Sequence, residues 1–63
     1  MPLHLYEYAL HDLPILLDKM SDVQVVDAGL TTVFIGNMDN QSTVLVETTY
    51  GTLQMIKNLT AHE

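Results

Sequence analysis

Arginine and cysteine are both missing from this chain of 63 residues, and lysine occurs only as Lys19 and Lys57, against eight carboxylates. Each shortage removes a class of function. Nucleic-acid backbones and anionic membranes are gripped by clustered Lys and Arg that displace counterions, so direct binding to either is not expected. Phosphate and carboxylate ligands are usually held by the planar arginine fork, which lysine does not reproduce. Without cysteine there is no disulfide, no thiolate zinc site and no cysteine nucleophile. No apolar run approaches the length of a membrane span, and no basic stretch followed by an apolar one heads the sequence, so a cytoplasmic protein is expected. Two glycosylation-type triplets, Asn40-Gln41-Ser42 and Asn58-Leu59-Thr60, then read as chance occurrences in turn-rich segments.

What is present is largely apolar. Hydrophobic residues make up 48% of the chain and charged ones 16%, the reverse of a disordered segment. A single small domain spanning residues 1–63 is expected, near the lower limit at which one core holds a chain folded. Small cores are usually reinforced by disulfides, metals or oligomerisation. With the first excluded, part of the apolar surface is expected to close against a second subunit or a partner. The net charge of −6 favours solubility and points away from acidic partners.

Residues 3–9 alternate as a strand does, with Leu3, Leu5 and Ala9 on one side and His4, Tyr6 and Tyr8 on the other, although a short helix from Pro2 is an alternative. A helix follows. Asp12 is placed to cap it, Pro14 fits its first turn, and Leu13, Leu16, Leu17 and Met20 form one apolar stripe before Ser21-Asp22 ends it. From Val23 onward β-branched residues and turn signals take over. Residues 23–28, 31–35, 42–49 and 52–58 read as strands, the last of them also compatible with a helix. The fold class is therefore α+β: a short N-terminal strand, one short amphipathic helix, and an antiparallel β-meander of about four strands.

A tight turn at Asp39-Asn40 sets Ile35 opposite Val44, Phe34 opposite Leu45 and Val33 opposite Val46. A second turn at Tyr50-Gly51 then sets Met55 opposite Val46 and Ile56 opposite Leu45. Side chains alternate between faces, so the meander sorts into two surfaces. Val33, Ile35, Val44, Val46, Leu53 and Met55 are expected under the helix. Phe34, Leu45 and Ile56, ringed by Thr32, Glu47 and Gln54, form a second apolar face suited to self-association or to a partner.

No constellation carries an obvious chemistry. The three histidines, His4, His11 and His62, form no helical zinc-binding pair and read as surface or structural residues. Asn37, Asp39 and Gln41 resemble the opening of a calcium loop, but Ser42 stands where its glycine belongs and Thr48 where its bidentate glutamate belongs. Ser21 and Ser42 lack nucleophile-elbow glycines, and the three glycines make no phosphate-binding motif. Glu47, an acid inside a strand, suits a sheet edge better than catalysis. No metal and no cofactor is expected. Tyr6, Tyr8 and Tyr50 are three of the four aromatic residues, and tyrosine makes a large, rigid interface anchor.

Pro2 heading a strand, with a helix after it in a chain of this length, resembles in outline the 4-oxalocrotonate tautomerase family, which uses an amino-terminal proline as general base. That resemblance rests on Pro2 and the first strand alone. The family pattern includes a long helix and arginines that hold substrate carboxylates, and this chain has neither. A small proline-based enzyme is therefore the third-ranked reading. The first is a non-catalytic acidic interaction or inhibitor module, of the type produced by phages and mobile elements to block host enzymes, acting in the host cytoplasm. Asp12, Asp18, Asp22, Asp27 and Glu47 would steer it toward a basic surface on a target protein, with Tyr6 and Tyr8 as anchors. The second is a self-associating structural subunit, a homo-oligomer built through Phe34, Leu45 and Ile56.

Overall fold

The computed structural model describes residues 3–58, which form five seven-residue strands and one short helical stretch. Strand β1 (Leu3–Ala9) runs into a 3-10 turn (Leu10–Asp12) continuous with α1 (Leu13–Asp18). Then come β2 (Ser21–Asp27), β3 (Thr32–Met38), β4 (Gln41–Glu47) and β5 (Thr52–Asn58). The strands make one antiparallel sheet in the order β1-β5-β4-β3-β2. Strands β2 to β5 form the expected meander, and β5 is strand throughout. Strand β1 pairs with β5, so β1 and β2 are the two edges. The helical stretch must therefore carry the chain across one side of the sheet, from one edge to the other.

The apolar stripe of that stretch performs as its spacing suggests. Leu16 is buried, and Leu10, Leu13, Leu17 and Met20 pack against the same core. Pro14 stands in the first turn of α1, where its missing N–H costs no helical bond. Asp12, however, is not the cap that the sequence suggests. Its backbone is already helical, at φ −83° and ψ −3°, and its side chain makes no capping bond. The preceding 3-10 turn has displaced it: Leu13 N–H donates to the Leu10 carbonyl, so the coil tightens before Asp12 is reached.

Two turns decide how the sheet is sorted. At the β3–β4 connection Asp39 and Asn40 both take left-handed backbone conformations, φ 55° and 63°. This two-residue turn gives the expected pairs, Ile35 with Val44, Phe34 with Leu45 and Val33 with Val46. The β4–β5 connection differs from expectation. Its loop has three residues, 49–51, and ends on Gly51 at φ 90°. Thr48 N–H donates to the Thr52 carbonyl at 3.0 Å, and the Thr48 hydroxyl accepts the Thr52 N–H at 3.1 Å. Leu45 therefore lies opposite Met55 and Val44 opposite Ile56, one residue away from a two-residue turn. Because side chains alternate, that single step moves every β5 side chain to the other face.

The result corrects the expected pair of surfaces. Leu53 and Met55 join Phe34 and Leu45, and this group, not the valine-rich one, lies under the helix. Leu45 and Leu53 are 0% exposed, and Met38 completes the buried apolar set, beside which Thr43 is buried as well. Ile56 leaves Phe34 and Leu45 and joins Val33, Ile35, Val44 and Val46 on the opposite face.

Strand β2 carries a bulge between Ser21 and Gln24, with Asp22 at φ 55°. The bulge presses onto Gly36 of β3. A Cβ at position 36 would lie 2.7 Å from the Ser21 carbonyl oxygen and 3.3 Å from Val23 Cα, both backbone atoms. Gly36→Ala is thus expected to destabilise the fold by about 1–3 kcal/mol through overpacking. Leu45→Ala, which empties the centre of the core, is expected to cost about 2–5 kcal/mol. Urea unfolding followed by circular dichroism measures both. Wild-type stability in the Gly36→Ala protein would show that the bulge is free to lift away from β3.

Candidate functional site

Cross-strand pairing divides the residues into rows that run across the sheet. On the helix side, one row is Tyr6–Met55–Leu45–Phe34–Val25 and the next is Tyr8–Leu53–Glu47–Thr32–Asp27. On the other side, the two central rows are Leu5–Ile56–Val44–Ile35–Gln24 and Glu7–Gln54–Val46–Val33–Val26. No element of the described chain covers this second side.

The two sides differ in shape and in charge. The helix side packs long, flexible chains, Leu, Met and Phe, whose reach fills the space beneath a helix. The open side is made chiefly of β-branched Val and Ile, which suit a pleated surface. Leu5 is 65% exposed, Val26 43% and Ile35 42%, whereas Val33, Val44, Val46 and Ile56 are half-buried by their neighbours. Glu7 is the one charged residue in the two open rows.

Charge collects on the other side. Asp27 and Glu47 lie in one row of the helix face, on either side of Thr32. Asp12 and Asp18 belong to the helical layer itself, and Asp22 sits at the β2 bulge. Tyr6 and Tyr8 share the helix face with them. Their rings stack with His4 in a ladder along β1, with centroids 6.2 Å (His4–Tyr6) and 6.5 Å (Tyr6–Tyr8) apart. Tyr8 also packs against the core, while Tyr6 is exposed. Of the residues assigned from the sequence to partner binding, Tyr6, Tyr8, Asp27 and Glu47 thus lie on the helix face and Asp12 and Asp18 in the layer over it, dispersed across that side, while Asp22 stands at the β2 edge.

Lys57 is committed within the chain. Its ammonium lies 3.5 Å from the Asp39 carboxylate in the β3–β4 turn, with the lysine side chain largely buried and the aspartate exposed. This pair ties β5 to that turn. His11 meets its neighbour Asp12 at 3.5 Å on the surface.

The residues assigned from the sequence to self-association are not kept together. Phe34 and Leu45 are core residues beneath the helix, and Ile56 is on the open face. What the sequence reading missed is that Leu3, Leu5, Val26, Val33, Ile35, Val44 and Val46 form the open patch with Ile56. The three-residue loop at 49–51 was the signal: a glycine closing such a loop in a left-handed conformation is a recognised hairpin form.

Among the described residues the surface has no pocket, and no three His, Asp or Glu side chains come close enough to share a metal ion. Pro2 and His62 lie outside the described residues. No protein-family model, no curated protein and no solved structure matches this chain.

Proposed function

We infer that this chain is a non-catalytic protein-contact module whose working surface is the open face of the sheet. One observation carries the reading. A five-strand sheet is covered on one side only, and the other side presents a continuous patch of Val, Ile and Leu containing the single charge of Glu7. Contiguous apolar patches of this kind mark contact surfaces. The β-branched side chains are stiff at χ1, so little rotamer freedom is lost when they are covered.

A second reading rests on the segregation of charge. Asp12, Asp18, Asp27 and Glu47, with Tyr6 and Tyr8, lie on the helix side and Asp22 at the β2 edge, and together they suit contact with a basic surface on another protein. The module would then act as an inhibitor or adaptor of that protein, with acidic steering raising its on-rate. Such binding weakens with added salt, because exposed charges are screened.

Replacing Ile35, Val44 and Val46 together by threonine keeps β-branched residues in the strands while adding a hydroxyl to each. The wild-type chain is expected either to associate or to bind an apolar fluorescent dye strongly, and the triple variant to do neither while keeping its circular dichroism spectrum. A wild-type protein that is monomeric and also dark to the dye would refute the contact-surface reading.

A further inference from the structure

We propose that the occupant of the open face is a second copy of the same chain, the two sheets packing face to face into a four-layer helix–sheet–sheet–helix dimer. This rests on reading the open face as the working surface, and adds what covers it.

Three properties of the face point to a self-partner. The first is charge. Each copy carries a net charge of −6, so two copies repel unless the carboxylates stay out of the contact. The open rows meet that condition, holding only Glu7, at the β1 end of its row. A basic protein partner would instead favour the acidic side.

The second is area. Five strands at about 4.8 Å spacing, seven residues long at about 3.3 Å each, give a face of roughly 550 Å² in projection. A pair therefore covers roughly 1,100 Å², above the threshold of about 1,000 Å² for a specific interface.

The third is shape. A two-fold contact requires a self-complementary patch, and an open sheet with β-branched residues at its centre is one. Two such faces pack about 10 Å apart with interdigitated side chains, as in a β-sandwich. The central strand is β4, with two strands on each side. With the two-fold axis running along it, Val44 and Val46 sit at the middle of the contact. Each row then faces the same row of the partner, so Leu5 and Glu7 of β1 in one copy overlie Gln24 and Val26 of β2 in the other. This arrangement holds Glu7 near the rim and separates it from its symmetry mate.

The dimer has a salt signature opposite to that of acidic steering. Added salt screens the repulsion between two acidic copies, so self-association strengthens. Sedimentation equilibrium and light scattering across a dilution series test the proposal, each at about 0.05 M and about 0.5 M sodium chloride. The expected result is a species of twice the 7.1 kDa chain mass, dissociating on dilution, with a Kd several-fold lower at high salt. The Ile35→Thr, Val44→Thr, Val46→Thr variant should raise the Kd by at least about 100-fold, which corresponds to about 2.7 kcal/mol. A separate Ile35→Lys variant, at an exposed position, should give a folded monomer and guards against a misfolded triple variant.

A wild-type monomer that binds the apolar dye would overturn the dimer while leaving the contact-surface reading in place, with a different protein as occupant. A wild-type monomer that does not bind dye would overturn both. A dimer unaffected by all the open-face substitutions would overturn the assignment of this face.

Discussion

The loop at residues 49–51 is the constraint on which the sorting of this sheet depends. Its three residues, closed by Gly51 in a left-handed conformation and by the mutual bonds of Thr48 and Thr52, fix the register of β5 against β4. With that register, Leu53 and Met55 arrive on the same face as Leu45 and Phe34. A loop shorter by one residue would put Ile56 there instead and send the two long side chains to the uncovered side. The core beneath the helix would then lose two of its fully buried members. Strand β1 inherits the consequence, since it pairs with β5 and takes its own facing from it.

Once the register is set, side-chain shape does the rest. A helical stretch crossing a sheet leaves an uneven gap, and Leu, Met and Phe reach into it in ways that Val and Ile cannot. Leu16, Leu45, Leu53, Met55, Met38 and Phe34 form that layer, and every one of them has an unbranched Cβ. Val33, Ile35, Val44, Val46 and Ile56 are all branched there and all lie on the other side. The partition has a cost at Gly36, where the β2 bulge crosses so close to β3 that no side chain fits. A crowded, helix-covered side and a flat, stiff, uncovered side are thus two outcomes of one packing problem.

Much of the fold was legible because it is locally encoded. Alternation gave β1, β-branched residues and turn signals gave the other strands with 52–58 also compatible with a helix, Pro14 and the leucine stripe gave the helical stretch, and Asp39-Asn40 gave the β3–β4 register. The candidate surface was not legible to the same degree, because its membership turns on one residue of loop length. Reading Tyr50-Gly51 as a two-residue turn displaced Leu53, Met55 and Ile56 together, since strand facing has a period of two and tolerates no partial error. The expectation of an uncovered apolar face was sound in its physics and named the wrong residues. Asp12 shows a similar limit: a cap residue is identified by its neighbours' backbone, and the 3-10 turn before it was not visible in residue type.

The shortage of cations acquires a more specific meaning once the two sides are known. Lys57 is held against Asp39, so it offers little to an outside ligand. The remaining acidic groups are placed mainly around the helix side and the turns. A chain with so few counter-charges can bring two copies together only through a surface from which carboxylates have been kept away. The open rows are such a surface: seven Val, Ile or Leu residues, two glutamines, and one glutamate toward the edge. Acidity then has two effects that do not conflict. In the proposed dimer it keeps the helix-covered sides apart, and it restricts association to the face whose open rows hold only Glu7.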